Sequence, residues 1–229
     1  MDLVSLIIIV VITLITLSLY KKYRQIKQLA YIKKYHFHKS IKEKIRKKYP
    51  HLSNDQVHQV FKGLRDYFWM CNRSKRKMVS MPSQVVDDAW HEFILFTRSY
   101  KTFCKNGVGK FLHHTPTEAM ASPTLAQEGI KRAWRLACAK ENINPRVPNK
   151  LPLIFALDSM LSIPNGFTYS LNCKDKKSPA SGHDYCAGHI ACSSGCAGDS
   201  GASNESGGVF DGFFDSSGGV DCGGGCGGD

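Results

Sequence analysis

Asp87 and His91 stand four residues apart in the stretch VVDDAWHEF, residues 85–93. On an α-helix that spacing puts both side chains on one face. A carboxylate there accepts the imidazole N–H and fixes its tautomer, or both groups face a metal ion. Asp88, three residues before His91, is a second candidate carboxylate, whereas Glu92 points elsewhere, to solvent. Further along, FLHHTP brings His113 and His114. Adjacent residues divide their labour, so one of the two histidines is expected to face inward. Asp87, His91 and one of His113 or His114 would make an N/O donor set suited to Zn2+ or Fe2+, with a position open for water. The competing reading is structural. Asp87 and Asp88 fall in the first two turns of a helix, where negative charge suits the macrodipole. His91 is then a hydrogen-bonded residue at the core edge, and His113 and His114 cap neighbouring helix ends. Spacing alone leaves both readings open.

Two further groups carry chemical potential. Cys104, beside Phe103 and Lys105, would need a positive neighbour and solvent access to act as a thiolate. A small buried hydrophobe is the simpler expectation. In HDYCAGHIACSSGC, Cys186, His189, Cys192 and Cys196 have the form C-x2-H-x2-C-x3-C, with His183 nearby. Thiolates and imidazoles this dense can wrap a tetrahedral Zn2+, and a reducing compartment favours metal over disulfide there. The spacing matches no standard finger, and a flexible cysteine-bearing tail is the alternative.

The elements that must position these residues are helical. Ser53 and Gln56 have the form of a capping box, after which Val57, Val60, Phe61, Leu64 and Phe68 recur at helical spacing. Pro82 opens the next helix, from about Ser83 to Cys104, whose stripe is Val86, Trp90, Phe93, Thr97 and Tyr100. Gly107 or Gly109 ends it in a left-handed cap. A further helix begins at Pro123, with Ser122 as cap and Leu125, Ile130, Ala133, Trp134, Ala137 and Cys138 on its apolar face. LPLIFALDSMLSIPNG forms a short last helix. No alternating Val- or Thr-rich run calls for a sheet, so the fold class is mainly α.

Around this domain lie three segments of different physics. Leu3–Tyr20 is an uncharged run of eighteen residues. As a helix it spans roughly 27 Å, close to the hydrocarbon thickness of a bilayer. Asp2 precedes it and no small-residue cleavage site follows, so a retained anchor is expected rather than a signal peptide. The chain carries a formal net charge of +12, and residues 21–50 hold twelve Lys or Arg against the single Glu43. The positive-inside bias therefore places the N-terminus outside and the rest in the cytoplasm, at a plasma (inner) membrane. The basic segment reads as a juxtamembrane helix, either a solvated stalk or one lying on anionic lipid headgroups. Nucleic-acid binding is not needed to explain it. From Ser178 to the end there is no Lys or Arg, and Gly, Ser, Cys and Asp dominate. Such a composition cannot offset its ordering entropy and is expected to be disordered. The expected organisation is thus an anchor at 1–20, a basic helix at 21–50, a helical domain at 51–171 and a Gly/Ser/Cys-rich tail at 172–229.

The stretch MPSQVVDDAWHEFILFTRSYKTFCKNGVGKFLHHTPTEA resembles a family of bacterial glycine-rich domain-containing membrane proteins. It is more distantly similar to the helical module of plant glycine-rich domain proteins. The matching positions are Val86, Asp87, Trp90, His91, Tyr100, Cys104, Gly109 and one of His113 or His114. In the plant module a second His stands two places after the first, where this chain has Phe93. The resemblance implies no established activity. Two functions follow as expectations. One is a membrane-bound binding or scaffold module with a protein partner. The other is a membrane-tethered metal-dependent hydrolase or oxygenase using the Asp/His site. No nucleophile motif or phosphate loop is present, which favours the first.

Overall fold

The computed structural model describes residues 2–75, 77–114, 123–171, 184–186 and 190, with backbone alone at 123–125 and 184–186. Its elements are α1 (Leu3–Lys34), α2 (Lys39–Lys48), α3 (Asn54–Arg73), α4 (Gln84–Ile94), α5 (Thr97–Phe103), a π-helical turn (Cys104–Val108), α6 (Pro123–Glu141), α7 (Leu153–Met160) and the short strands β1 (Thr168–Ser170) and β2 (Asp184–Cys186). The fold is mainly α.

α3 is the central helix. Its capping box is complete: Ser53 accepts from the Gln56 N–H and the Gln56 side chain accepts from the Ser53 N–H. Val57, Val60, Phe61, Leu64 and Phe68 are all buried, as their spacing predicts. Gly63 sits where a Cβ would meet Leu157 Cδ1 at 2.5 Å, so glycine lets α7 close on α3.

The basic segment 21–50 is helical but differs from a single juxtamembrane helix. It is split between α1 and α2, and its apolar residues enter the core: Ile32, Phe37, Ile41 and Ile45 are at most 5 % exposed. The break at Tyr35–His38 has a geometric cause. Tyr35 and Phe37 both join the aromatic cluster, with ring centroids 5.5 and 5.1 Å from Phe93. Residues two apart on a continuous helix face opposite ways, so the helix must stop for both to point inward. His38 then caps α2 by accepting from the Ser40 N–H.

The expected single helix from Ser83 to Cys104 is also broken, at Leu95–Phe96, where Phe96 leaves helical backbone at ψ 59°. Tyr100 and Phe103 still pack on Phe93, each with centroids 5.3 Å away, while Thr97 is exposed. The π-helical turn ends at Gly109, the one of the two candidate glycines with left-handed backbone (φ 83°). Gly107 lies against α1, where a Cβ would meet Ile32 Cγ1 at 2.9 Å.

Two small features accompany the helices, the second of them beyond the expected domain boundary at 171. β1 and β2 pair in parallel, Tyr169 opposite Tyr185, and Ile190 is buried in the same core. Three-residue strands are too short to leave an alternating pattern. At the other end, α1 is long and apolar enough to cross a membrane, and none of its apolar stretch is buried in the protein.

Candidate metal centre

The site begins with how α4 is held at its start. Ser83 accepts from the Val86 N–H, and Asp158 of α7 accepts from Ser83 Oγ (2.7 Å) and from the backbone N–H groups of Gln84 (2.6 Å) and Val85 (3.3 Å). Asp158 also accepts from the Phe167 N–H at 2.9 Å. It is 2 % exposed, and burial pushes its carboxyl above the usual range while these hydrogen bonds oppose that shift. Asp158 therefore supplies the anion at the α4 N-terminus, the job the structural reading gave to Asp87 and Asp88. This contact comes from 75 residues away in the chain, and no local pattern announces it.

Asp88 turns toward α2. It is buried, accepts from Tyr49 Oη at 2.5 Å and pairs with Lys48 Nζ at 2.7 Å. Burial and this carboxylate together hold the Tyr49 phenol well above its ordinary pKa. Glu92, expected to face water alone, is half-buried and pairs with Lys44 Nζ at 2.5 Å. Both acids thus bind the basic segment to α4 and take no part in the site. Asp87 and His91 remain on their own face, Asp87 Oδ2 lying 3.7 Å from His91 Nε2.

The third member arrives from the segment after the π-helical turn. His114 Nε2 lies 3.1 Å from Asp87 Oδ1, and His114 Nδ1 lies 3.4 Å from His91 Nε2. His113 faces away, exposed, with its ring 4.8 Å from that of Phe111. The two adjacent histidines do divide as alternation requires, and His114 is the inward one. Its ring stands edge-on to Trp90 at 4.6 Å.

What holds the connector is a hydrogen-bond chain through the core. Trp90 Nε1 donates to Tyr100 Oη at 3.1 Å, and Tyr100 Oη donates to the Leu112 carbonyl at 2.5 Å. Tyr100 is 2 % exposed, and burial raises its phenol far above the ordinary value, so it stays a donor. The connector is thereby pinned two residues before His114. Trp90 and Tyr100 were legible as core residues. Their polar atoms gave no advance signal of this second role.

With one donor atom taken from each, Asp87, His91 and His114 lie within 4.8 Å of one another. Zn–N and Zn–O bonds of about 2.0–2.2 Å place tetrahedral ligands about 3.4 Å apart, so closure on a metal needs a contraction of about 1.4 Å or less at the widest edge. The His91 side chain, 49 % exposed, is free to supply that movement. Two imidazoles and a carboxylate form the donor set of zinc sites with an open position and of the non-haem iron facial triad. Without metal the same three side chains form a hydrogen-bonded row, Asp87 fixing the His114 ring.

Residues 27–190 match one family model, UCP032817-like. The chain belongs to the UCP032817-like family. No curated protein and no solved structure matches it. The UCP032817-like region starts inside α1 at Lys27, takes in all of α2, and ends at Ile190, so it includes the core residues of the basic segment as well as the three site residues.

The remaining sequence candidates of this UCP032817-like chain separate cleanly. Cys104 is fully buried, and burial raises its thiol, as expected of a packed hydrophobe rather than a reactive group. In the tail cluster, Cys186 has its backbone in β2, while His183, His189, Cys192, Cys196 and the cap Ser122 lie outside the described residues.

Proposed function

We propose that this is a single-pass membrane protein whose cytoplasmic helical domain binds a divalent transition metal, Zn2+ or Fe2+, through Asp87, His91 and His114. The observation that carries the reading is the meeting of α4 with the connector. Two histidines and an aspartate from separate segments converge, and the helix-capping role that competed for Asp87 belongs to Asp158. The anchor reading is supported by the uncovered apolar half of α1 and by the absence of a break between it and Ile32 in the core. Cleavage just after the apolar run would cut inside a continuous helix. The excess of Lys and Arg directly after that run favours a cytoplasmic domain.

The comparison with plant glycine-rich modules belongs to the same proposal. There, a second His stands two places after the first. Phe93 occupies that place here and is 1 % exposed in the core. His114 supplies the second imidazole instead.

The experiment is metal analysis of the purified full chain against His91→Ala and His114→Ala. Both variants should lose one equivalent, whatever the cysteine-rich tail retains in all three. Saturation at a hundredfold excess over Kd should stabilise the wild-type fold by about 2.7 kcal/mol, roughly 5–10 °C in Tm for a domain of this size. Equal metal content and equal Tm shifts in wild type and variants would remove the reading, leaving the domain as a binding or scaffold module for a protein partner.

One observation favours a catalytic role for the metal over a purely structural one. The half-exposed His91 opens the site to solvent, and three protein ligands leave a position for water. Bound Zn2+ would bring that water's pKa near 7 for hydrolysis, while Fe2+ would suit an oxygenase. The metal recovered from the chain decides between these.

A further inference from the structure

α1 is one continuous helix from the apolar run into the domain, so its residues measure depth below the membrane. Its first half-buried residue is Gln25. Gln25 Nε2 donates to Asn72 Oδ1 (3.2 Å), Gln28 Oε1 accepts from Asn72 Nδ2 (3.0 Å), and the Tyr35 carbonyl accepts from Arg65 Nε (3.2 Å). Moving down α1 from Gln25 to Tyr35 thus moves back along α3 from Asn72 to Arg65. The two helices are antiparallel, and α3 runs toward the membrane.

Among the described residues hydrogen-bonded to α1, those at the end of α3 meet it nearest its apolar run. At about 1.5 Å per residue, Gln25 and Gln28 lie about 7–12 Å past Tyr20. Asn72 shares that level. Arg73 reaches back to Gln25 Oε1 at 3.4 Å, and after Ser74 the chain turns, with Lys75 in left-handed backbone (φ 51°) and the Lys77 N–H donating to the Ser74 carbonyl at 3.1 Å. The headgroup layer on each side of the hydrocarbon is about 5–8 Å deep. Asn72 therefore lies at the outer edge of that layer or just past it, within reach of a long Lys or Arg side chain. The residues that follow suit the place: Arg73, Lys75 and Lys77 are exposed, and so are Lys21, Lys22 and Arg24 of α1, which lie nearer the apolar run. Asn72 fixes the arrangement by donating also to the Gly107 carbonyl at 2.9 Å, which ties α1, α3 and the π-helical turn together.

We infer that Arg73, Lys75 and Lys77 form the membrane-facing end of the domain and dock on anionic phospholipid headgroups. This rests on α1 being a membrane span. The consequence is a domain held in one orientation on the bilayer by two attachments, the helix and the loop.

The test is hydrogen exchange on the full chain in nanodiscs of phosphatidylcholine, alone or with phosphatidylglycerol added. A cation near an anionic surface shifts its equilibrium about fivefold, so the amides of residues 74–79 should exchange several-fold more slowly when phosphatidylglycerol is present. Lys75→Glu with Lys77→Glu should abolish that difference, with buried amides of α3 unchanged as the check that the domain stays folded. Raising the salt should abolish it in the wild type. Equal exchange in the two lipids, with residues 3–20 protected in both, would overturn the docking while leaving the anchor. Free exchange across residues 3–20 would overturn the anchor and the docking together.

Discussion

Ile41→Ala separates a solvated basic stalk from a basic segment that is part of the fold. A side chain on a stalk stands in water, and its truncation changes stability by no more than about 0.5 kcal/mol. Ile41 is 0 % exposed, in the core with Ile45, Phe37 and Phe61. Removing a buried Ile to Ala loses its transfer free energy and leaves a cavity, at a cost of about 2–5 kcal/mol. A central value of about 3 kcal/mol corresponds to a fall in Tm of about 6–12 °C for a domain of 150–250 residues. The assay is thermal unfolding of the full chain in detergent, followed by tryptophan fluorescence. Trp90 and Trp134 are 3 % and 0 % exposed and so report loss of the core, whereas helix content would also count α1 in the micelle. Ile26→Ala is the control, since Ile26 lies in the same basic segment but is 58 % exposed. The reasoning is refuted if the two variants melt within about 2 °C of each other, the shift that a surface change of about 0.5 kcal/mol gives.

Two other outcomes follow from buried polar atoms. Tyr100→Phe leaves the Trp90 N–H and the Leu112 carbonyl without their partner, costing about 1–3 kcal/mol, and frees the connector that carries His114. The metal-induced rise in Tm should therefore shrink in Tyr100→Phe, and an undiminished rise would refute its positioning role. Burial pushes the Cys71 thiol from its ordinary 9.0 up to about 12, and Cys138 up to about 11. A folded-state pKa above the unfolded one stabilises fully below about pH 9 and is lost as the pH climbs to about 12, up to about 4 kcal/mol for Cys71. Urea midpoints should fall across that window and fall less in Cys71→Ala, and Cys71, Cys104 and Cys138 should resist alkylation at neutral pH while the domain is folded.

The helices that face one core with one stripe were legible from sequence, because a 3.6-residue period survives whatever the stripe packs on. α3 and its capping box, α6 and α7 are of this kind. The basic segment was not. Lys and Arg so outnumber its apolar residues that the segment reads as solvated, and the helix break between Tyr35 and Phe37 splits the apolar period in two. Long cationic side chains make this possible: Lys44 and Lys48 extend to Glu92 and Asp88 while Ile41 and Ile45 enter the core. The same two lysines engage both acids, which takes Asp88 out of the candidate site and Glu92 out of open solvent, an outcome that lay in the charge count but not in any spacing.

The site was half legible for a related reason. The Asp87–His91 pair follows from helix geometry alone, and the division between His113 and His114 follows from alternation. Which histidine turns inward, and whether it arrives at all, depends on a break and a hydrogen bond that no period encodes. α4 must end near Leu95 and α5 must re-aim Tyr100, so that its hydroxyl takes the Trp90 N–H and grips the Leu112 carbonyl. Residues of the opening motif therefore bear on the candidate site at two removes. Asp87 and His91 offer donor atoms directly, while Trp90, read as plain core, backs the His114 ring with one face and orients the Tyr100 hydroxyl with its nitrogen. A constellation assembled in this way predicts its own fragility: substitutions that spare every donor atom but loosen Tyr100 or Trp90 should weaken metal binding.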